Sequence, residues 1–409
     1  MRRQLEGSRA IAEAVARCRP QVVPAYPITP QTHIVEAIGA MVRNGSLAGC
    51  EFLTVESEFA AMSAAIGASA AGARAYTATA SQGLLYMAEA LFNASGLGLP
   101  IVLTVANRAV GAPINIWNDQ SDSMSQRDCG WVQLYAADNQ AAVDLHVVAF
   151  ALAEELSVPV MVCVDGFVLT HAFEPLEVPE QDAVDAFLPP YAPRQVLDVD
   201  DPVAIGAMVG PEAFTEVRYL SHYQLSQALT AYPQLCDGWQ RPLSMVDAYR
   251  VDGADTVVVT LGSVSGTVKE VADEFGNVGV VTLTMFRPFP YAEVRKALGA
   301  AKRVIVLERA LAPGAGGIVS ADVRAALSGT LAEVSTVVAG LGGRAVTRAA
   351  LRRLVADAMS GWLGERLVFL DLRDDLVEQQ IDRMRQRRAS GPQALGLLRD
   401  AGIPGSRIG

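Results

Sequence analysis

The sequence predicts an α/β protein built on parallel sheets with helices on both faces. Strand-like and helix-like segments alternate along the first half of the chain, which is typical of right-handed βαβ units. Several strand-like segments are near-continuous runs of Val, Ile and Leu, as expected of parallel strands buried on both sides. The same alternation returns after residue 250, which predicts a second, smaller α/β region.

The elements of the first region are predicted from these runs and from the apolar periodicity between them. The predicted strands are Val22–Tyr26, Phe52–Val55, Ala73–Thr79, Pro100–Val105 and Pro159–Val164. The predicted helices are His33–Val42, Phe59–Ala71, Leu84–Gly96 and Asn139–Leu156. Prolines interrupt residues 166–245, so this segment is predicted to be a wrapping linker with some helix, such as Gln224–Ala231.

The second region shows the same pattern on a smaller scale. Its predicted strands are Asp255–Leu261, Val278–Met285, Val304–Leu307 and Ser335–Val338. Its predicted helices are Thr267–Glu274, Tyr291–Leu298, Ile318–Leu327 and Val346–Met359. We therefore expect one domain over residues 1–245, a second over 246–361, and a charged helical tail over 362–409. The tail carries the basic run Arg383–Arg388, and we interpret it as a solvated helix in preference to a subunit clasp.

Composition and charge narrow the classes of partner. The net charge of −11 and the pI of about 5.0 argue against nucleic acid or an anionic membrane as the main partner. The charged fraction of 19% is low, which favours a surface partly covered by other subunits. We find no secretory signal and no apolar run long enough to cross a membrane, so a cytoplasmic location is expected.

The reactive residue types exclude several kinds of site. The five cysteines are scattered and form no C-x-x-C pair, so they predict reduced core thiols and no iron–sulfur or zinc cluster. The first 268 residues contain no lysine, which excludes a Schiff base or a P-loop there. The histidines are also too scattered to predict a metal site: His33, His146, His171 and His222.

A proline-rich turn follows the first predicted strand. Pro27 and Pro30 fix the backbone, while Thr29 and Thr32 place hydroxyl groups at the start of a helix. Free N–H groups at a helix N-terminus favour anions. The turn could therefore hold a small carboxylate, although most turns of this kind are only connections.

Glu58 lies at another junction between a strand and a helix. Ser57 can cap the helix, and an acid in the first turn is favoured by the helix dipole. Glu58 is therefore either a helix-start acid or a functional carboxylate that points into a cleft lined by small residues. On spacing alone, the first interpretation is the better one.

Two further segments end at the same edge of the predicted sheet. Arg108 follows the strand Ile101–Val105, where a guanidinium could grip a carboxylate with two hydrogen bonds or could pair with a neighbouring acid. Ser81 and Gln82 lie in the loop after the strand Ala73–Thr79. The polar segment 112–124 is longer than an ordinary connection and is predicted to be a lid or an interface loop.

An ordered set of motifs resembles one known family. The motifs are Tyr26–Pro30, Glu56–Glu58, Ala80–Leu84, Asn107–Ala109, Ser121–Ser123, Gln126–Asp128, Asp165–Phe167 and Gly340–Arg344. Over about residues 5–360 the chain resembles the alpha subunits of multi-subunit pyruvate:ferredoxin oxidoreductases, which are thiamine-diphosphate-dependent 2-oxoacid oxidoreductases. The resemblance implies a pyrimidine-type thiamine diphosphate domain followed by a transketolase C-terminal-like domain.

The resemblance also implies roles for single residues. Glu58 matches the glutamate that hydrogen-bonds N1′ of the aminopyrimidine and thereby promotes removal of the C2 proton. Thr29 and Arg108 match residues that hold the substrate carboxylate, and Pro27 matches one that lines the cofactor site. Ser81 and Gln82 are expected to contact the cofactor. No residue of this chain is expected to bind a metal.

The same resemblance implies partners. Thiamine diphosphate is shared with a beta subunit, which supplies the diphosphate and Mg²⁺ site. The 4Fe-4S clusters lie on partner subunits, gamma-type and delta-type subunits complete the complex, and coenzyme A takes the acyl group. Ferredoxin or a related acceptor receives the electrons. This division of labour agrees with the absence of a Gly-Asp-Gly magnesium motif and of cluster cysteines.

Pyruvate best fits the overall pattern of motifs. Branched-chain or aromatic 2-oxoacids, such as 2-oxoisovalerate or phenylglyoxylate, remain alternatives because one pocket methylene is worth only about 1–3 kcal/mol. Two further alternatives are a scaffold homologue without catalysis and a transketolase-like carboligase. Both are disfavoured, the first by the intact charged residues and the second by the missing diphosphate motif.

Overall fold

The computed structural model describes residues 2–364, 367–386 and 394–403 of the chain. Two compact units are present, residues 1–368 and residues 369–409. The strands are β1 Arg3–Glu6, β2 Val22–Ala25, β3 Glu51–Thr54, β4 Tyr76–Thr79, β5 Val102–Asn107, β6 Val132–Tyr135, β7 Val160–Asp165, β8 Phe173–Leu176, β9 Val246–Tyr249, β10 Thr256–Thr260, β11 Val278–Leu283, β12 Met285–Arg287, β13 Arg303–Glu308, β14 Glu333–Val338 and β15 Leu367–Phe369. The helices are α1 Gly7–Arg17, α2 Thr32–Arg43, α3 Glu58–Ala70, α4 Ser81–Tyr86, α5 Ala88–Gly96, α6 Ser121–Ser125, α7 Asn139–Leu156, α8 Gln181–Phe187, α9 Phe214–Ser226, α10 Ala228–Gly238, α11 Val264–Ala272, α12 Tyr291–Leu298, α13 Val319–Ala326, α14 Arg348–Met359, α15 Asp374–Arg385 and α16 Ala394–Asp400, with a 3-10 turn at Leu341–Gly343.

The first sheet has the strand order β12-β6-β7-β5-β4. The strands β4, β5, β7 and β6 are parallel, and β12 pairs antiparallel with β6. A further parallel pair, β2 and β3, lies beside β4 and is linked to this edge by a bridge between Val22 and Ala75. Strands β5 and β7 are buried along their whole length, as their apolar runs predict.

Helices cover both faces of the first sheet. On one face α1, α2, α7 and α10 form a core that includes Ile11, Ile34 and Phe150. On the other face α3, α4 and α5 bury Met62 and Leu84 in a core that continues to the second sheet. The predicted α/β fold, with a parallel sheet covered on both faces, is therefore confirmed.

The second sheet has the order β15-β14-β13-β10-β11-β9. The strands β14, β13, β10 and β11 run parallel, while β9 pairs antiparallel with β11. The predicted strand Val278–Met285 is wrong at its end, because β11 stops at Leu283 and β12 crosses over to join the first sheet. The domain boundaries at residues 245 and 361 stay predictions.

Residues 166–245 contain more regular structure than the prolines predict. They hold β8, α8, α9 and α10. The predicted helix Gln224–Ala231 is wrong in its bounds, because α9 ends at Ser226 and α10 begins at Ala228. Helix α9 buries none of its residues. A helix that packs no face against a core need not show the regular spacing of apolar residues from which helices are predicted.

Two other differences concern helix ends and the tail. The single helix predicted over Leu84–Gly96 is wrong, because α4 and α5 are separated at Met87.

In the tail, α15 and α16 are joined by hydrogen bonds from Gln380 and Arg383 to Asp400, at 2.8 and 2.5 Å. Arg387 and Arg388 of the predicted basic run lie outside the described residues. No helix of the described ranges is both long enough and apolar enough to cross a membrane.

Candidate functional site

The proline turn between β2 and α2 is fastened to the first sheet. Buried Gln31 donates hydrogen bonds from its amide to the carbonyl groups of Tyr26 and Ala78, at 3.1 and 2.7 Å. Both Pro27 and Thr29 are exposed on this turn. The backbone of the turn is therefore held in place, while its proline ring and threonine side chain remain at the surface.

Glu58 begins helix α3. The Ser57 hydroxyl accepts a hydrogen bond from the backbone N–H of Ala60 at 3.1 Å and so caps the helix. The Glu58 side chain packs over α4, where a Cβ atom on Gly83 would lie only 2.6 Å from its Oε1 atom. Glu58 is only 8% exposed, yet no donor among the described residues makes a hydrogen bond to its carboxylate.

Arg108 follows directly after strand β5 and is buried. Its Nη1 atom donates to the Thr29 carbonyl oxygen at 2.7 Å, and its Nε atom donates to the Asn115 carbonyl oxygen at 3.3 Å. Both of these partners are carbonyl oxygens, and no carboxylate of the described residues forms a salt bridge with this guanidinium. Burial lowers the pKa of Arg108, and nearby Asp122 opposes that shift. The structure thus brings Thr29 and Arg108 into direct contact.

Asp122 organises the loops around Arg108. Its Oδ2 atom accepts hydrogen bonds from the backbone N–H groups of Ser81 and Arg108, at 2.9 and 3.0 Å. Its Oδ1 atom accepts from the Asn107 side-chain amide and the Ser123 backbone N–H, at 2.8 and 2.7 Å. Complete burial raises the pKa of Asp122 to about 7, and these donors oppose the rise. The sequence placed Asp122 in a family motif without a role, because its partners come from separate loops.

Ser81 and Gln82, the two residues expected to contact the cofactor, begin helix α4. Ser81 has a positive φ of 52°, and its hydroxyl is bonded to the Gln82 side-chain oxygen and to the Ala109 carbonyl oxygen. The amide of Gln82 packs closely against Gly111. Ser81 therefore ties helix α4 to the loop that carries Arg108. Its contact with a cofactor, and that of Gln82, stay predictions.

The long loop before α6 docks on the second region. The Asn115 amide donates to the Gly342 carbonyl oxygen at 3.2 Å, and the Gly342 N–H donates to Asp119 at 3.1 Å. A Cβ atom on Gly343 would lie 2.4 Å from the Cβ atom of Trp117. The loop thus forms an interface with the Gly340–Arg344 segment. No opening motion is needed to explain its length.

Asp165, at the end of β7, also connects the first α/β region with the second. At 1% exposure its carboxylate accepts hydrogen bonds from Gln120, from the backbone N–H of Ser263 and from Arg309, at 2.9, 2.9 and 3.1 Å. Arg309 forms a buried salt bridge with it. Its position at the end of a buried strand could have predicted this residue, although its partners are distant in sequence.

Comparison with known proteins identifies the family of the chain. Residues 13–234 match the thiamine-diphosphate-binding domain of pyruvate flavodoxin/ferredoxin oxidoreductase. Residues 254–351 match core domain II of pyruvate:ferredoxin oxidoreductase. The fold and the matched domains define a thiamine-diphosphate-dependent oxidoreductase of 2-oxoacids.

Full-length relatives agree with these matches. Pyruvate synthase subunit PorA of Methanosarcina barkeri is 42% identical over 391 residues, which cover 91% of this chain and 97% of that protein. Ketoisovalerate oxidoreductase subunit VorA of Pyrococcus furiosus is 40% identical over 369 residues, covering 87% of this chain and 93% of that protein. The chain belongs to the pyruvate flavodoxin/ferredoxin oxidoreductase family, which confirms the resemblance.

Solved structures show the same fold. A 2-oxoglutarate:ferredoxin oxidoreductase from Magnetococcus marinus, solved with 2-oxoglutarate, coenzyme A and succinyl-CoA bound, superposes with a TM-score of 0.70 at 21% identity. The match covers 87% of this chain, which spans 65% of the length of that one. A split-gene transketolase in its inactive beta4 tetramer superposes with a TM-score of 0.52 at 14% identity, over 88% of this chain and 100% of that one.

Proposed function

We propose that this chain is the alpha subunit of a complex that oxidatively decarboxylates pyruvate, with coenzyme A as acyl acceptor, to acyl-CoA and CO2. The observation that carries the proposal is Glu58, a residue only 8% exposed whose carboxylate receives no hydrogen bond from the described chain. A largely buried acid has lost part of its hydration, which a hydrogen-bond donor from a ligand would replace. An acid kept in this state is best explained by a ligand that supplies the missing donor, and a scaffold without catalysis would have no use for it.

The residues around Glu58 fit the aminopyrimidine of thiamine diphosphate. The cofactor supplies an electron sink for the carbanion that forms when a 2-oxoacid loses CO2. Glu58 would accept a hydrogen bond from a ring nitrogen and share its proton, and Gly83 leaves space beside the carboxylate that a Cβ atom would fill. Pro27, Ser81 and Gln82 would line the same site.

Arg108 and Thr29 would hold the carboxylate of the substrate. The Nη2 atom of Arg108 has no hydrogen-bond acceptor among the described residues, and the Thr29 side chain is exposed. Because no protein carboxylate pairs with Arg108, its positive charge remains available to an anion. The bond from Arg108 to the Thr29 carbonyl oxygen fixes both groups relative to each other.

Pyruvate is the substrate that the relatives favour. The subunit PorA of pyruvate synthase is 42% identical to this chain, and the VorA subunit of ketoisovalerate oxidoreductase is 40% identical. A branched-chain 2-oxoacid is therefore the second candidate. The two substrates differ by methyl groups, whose recognition changes transition-state binding by only about 1–3 kcal/mol per methylene.

The remaining chemistry is assigned to partner subunits. The five cysteines of this chain are separate, buried thiols, which are unsuited to an iron–sulfur cluster. In the proposal a beta subunit holds the diphosphate, Mg²⁺ and a 4Fe-4S cluster, gamma-type and delta-type subunits complete the complex, and ferredoxin or a related acceptor receives the electrons. The same reduced thiols support a cytoplasmic location.

The proposal is tested by Glu58→Gln in the complex purified with its partners. We expect the subunits to assemble, while hydrogen–deuterium exchange at C2 of bound thiamine diphosphate and pyruvate-dependent reduction of ferredoxin both fall by about two orders of magnitude or more. The fall follows because an amide cannot share a proton as a carboxylic acid does.

Glu56→Gln is the matched control, because Glu56 is exposed and lies two residues away. It should leave both rates unchanged. Normal exchange at C2 in Glu58→Gln would refute the assigned role. A panel of 2-oxoacids with the unaltered complex then distinguishes pyruvate from branched-chain substrates.

A further inference from the structure

Two imidazoles and one carboxylate converge at a place that the mechanism above does not use. Glu6 ends β1, His33 lies in the first turn of α2, and His171 lies in the segment between β7 and β8. The Nδ1 atom of His33 lies 2.7 Å from Oε1 of Glu6, and the imidazole rings of His33 and His171 are 4.8 Å apart. One potential ligand atom from each of the three residues lies within 4.8 Å of the others.

The backbone fastens the segments that carry these side chains. The N–H of Gly7 donates to the Ala172 carbonyl oxygen at 3.0 Å. The backbone N–H and the hydroxyl of Ser8 both donate to the Thr170 carbonyl oxygen, at 2.9 and 2.8 Å. Glu6 and His171 each adjoin a residue in this set, so their spacing is set by main-chain bonds.

The ring of His171 is oriented by a second partner. Its Nδ1 atom is hydrogen-bonded to the Thr170 hydroxyl at 2.7 Å, which leaves Nε2 for another ligand. Metal-binding histidines typically use one ring nitrogen for such an orienting bond and the other for the metal. His33 is exposed and Glu6 and His171 are partly exposed, so an ion could reach the group from solvent.

We propose that Glu6, His33 and His171 bind one Zn²⁺ ion, with water in the fourth position. Two imidazoles and a carboxylate form a ligand set that Zn²⁺ accepts. Bonds of about 2.0–2.2 Å in a tetrahedral site place ligand atoms roughly 3.3–3.6 Å apart, which small side-chain rotations can reach from the observed separations. The distance of the histidines along the sequence explains why no metal site was predicted there.

The role of this ion would be structural. The His171 ring packs against Phe167 in a tilted arrangement with the ring centroids 4.7 Å apart, and Phe167 packs against Trp117 in the same way at 4.8 Å. Trp117 belongs to the loop whose Asn115 carbonyl oxygen accepts a hydrogen bond from Arg108. An ion on His171 would therefore fix the outer end of this aromatic series. The proposal does not depend on the reaction assigned above.

Metal binding can be measured on the full-length chain after removal of bound metal by a chelator. Zn²⁺ alone is titrated in competition with a chromophoric zinc indicator. We expect one equivalent to bind, and His33→Ala, His171→Ala and Glu6→Gln each to weaken it by about 100-fold or more, because losing a ligand costs at least as much as losing an outer partner. Co²⁺ substitution should produce the visible absorption of a tetrahedral site.

Two matched controls lie outside the group. His222 is an exposed histidine on α9, and Glu36 is an exposed acid one turn further along α2. His222→Ala and Glu36→Gln should bind Zn²⁺ as the unaltered chain does. Zn²⁺ should also raise the unfolding temperature of the unaltered chain and of both controls, but not that of the three ligand variants.

His33→Gln and His171→Gln replace the alanine variants if circular dichroism shows that those do not fold. The proposal is overturned if the unaltered chain binds no stoichiometric Zn²⁺. It is equally overturned if binding survives substitution of all three residues together. In either case Glu6 and His33 form only a hydrogen-bonded pair at the surface.

Discussion

Three charged residues of the candidate site differ in how their charges are balanced. Asp122 accepts four hydrogen bonds from the protein. Arg108 gives Nη1 and Nε to carbonyl oxygens and has no carboxylate partner in the described chain, while Glu58 receives no hydrogen bond there. Asp122, whose charge is balanced by hydrogen bonds from the protein, organises the site. Arg108 and Glu58, whose charges are not balanced in this way in the described chain, are the residues assigned to ligands.

Arg108→Ala should weaken substrate binding more than it slows turnover. A hydrogen bond to a charged group is worth about 1.5–3 kcal/mol, so we expect KM for the 2-oxoacid to rise by roughly 10- to 140-fold. Steady-state kinetics of the complex would measure this, with binding of thiamine diphosphate unchanged. Arg127→Ala is the control, since among the described residues Arg127 bonds only to its own segment and not to Arg108, at 3.0 Å to the Met124 carbonyl oxygen and at 3.8 Å to exposed Asp128. An unaltered KM would remove Arg108 from the site.

Asp122 predicts a pH dependence of the same KM. Its pKa is about 7, and below that pH the protonated carboxyl turns an O–H toward groups that are themselves donors, including the N–H of Arg108. We expect KM to rise as the pH falls below about 7. Asp122→Asn, which is neutral, should have a raised KM at every pH and lose this dependence. A titration that is the same in both proteins would contradict the assignment.

Protonation of Asp122 should weaken substrate binding at low pH but stabilise the folded state there. The folded pKa of Asp122 lies above the ordinary value of about 3.9, so the folded state binds the proton more tightly than the unfolded state. This group therefore makes the free energy of unfolding fall as the pH rises from about 4 to about 7, with no further change above. Urea unfolding of the unaltered chain and of Asp122→Asn at several pH values would show whether this contribution is present.

Individual elements differ in how far the sequence predicts them. The bounds of α7 and α12 are predicted to the residue, and Asp138 caps α7 through the N–H of Ala141. The strands β1 and β8 escaped prediction because each has four residues and they pair only with each other, at a sequence separation of 173 residues for Arg3–Leu176 and 167 for Glu6–Phe173. Such short, non-local pairs have no local signal.

The residues of the candidate site likewise differ in how far the sequence predicts them. Position after a strand marks Glu58 and Arg108 as candidates only, and their roles are expected from the family motifs that contain them. The role of Asp122 and the need for a glycine at position 83 depend on contacts between loops, so no spacing along the chain reveals them. Motifs along the sequence therefore name candidate ligand-binding groups, but they do not reveal the groups that hold those candidates in place.

Gly83→Ala should disturb catalysis through α4. The added methyl group would lie 2.6 Å from Glu58 Oε1 and 2.5 Å from Thr79 Oγ1, so these side chains must move. We expect turnover to fall at least tenfold while helical circular dichroism is retained, since alanine favours a helix. Gly96→Ala in α5 is the control, because its methyl group would meet nothing within 4 Å. Equal turnover in both variants would show that Glu58 needs no such space.

At the scale of the whole unit, Asp165 connects the two sheets. It ends β7 of the first sheet and accepts hydrogen bonds from Ser263, which follows β10, and from Arg309, which follows β13. Both charges are largely buried, with side-chain exposures of 1% for Asp165 and 11% for Arg309. The relative placement of the sheets therefore depends on a pair that water does not screen.

Asp165→Asn should lower the free energy of unfolding by about 3–5 kcal/mol, because it leaves Arg309 buried without a counter-charge. Thermal or urea unfolding of the full chain measures the loss. Asp185→Asn breaks an exposed ion pair with Arg19 and should change stability little. Similar effects of the two substitutions would mean that the Asp165–Arg309 pair does not stabilise the arrangement of the sheets.

One neighbour of β6 in the sheet is distant in the sequence. This neighbour is β12, Met285–Arg287, which pairs with β6 at Val132–Tyr135. During synthesis, β6 therefore emerges long before the segment that completes it. Until then one flank of β6 presents free N–H and C=O groups, which can template pairing with another nascent polypeptide. We therefore expect chains that end before β12 to aggregate more readily than the full-length chain.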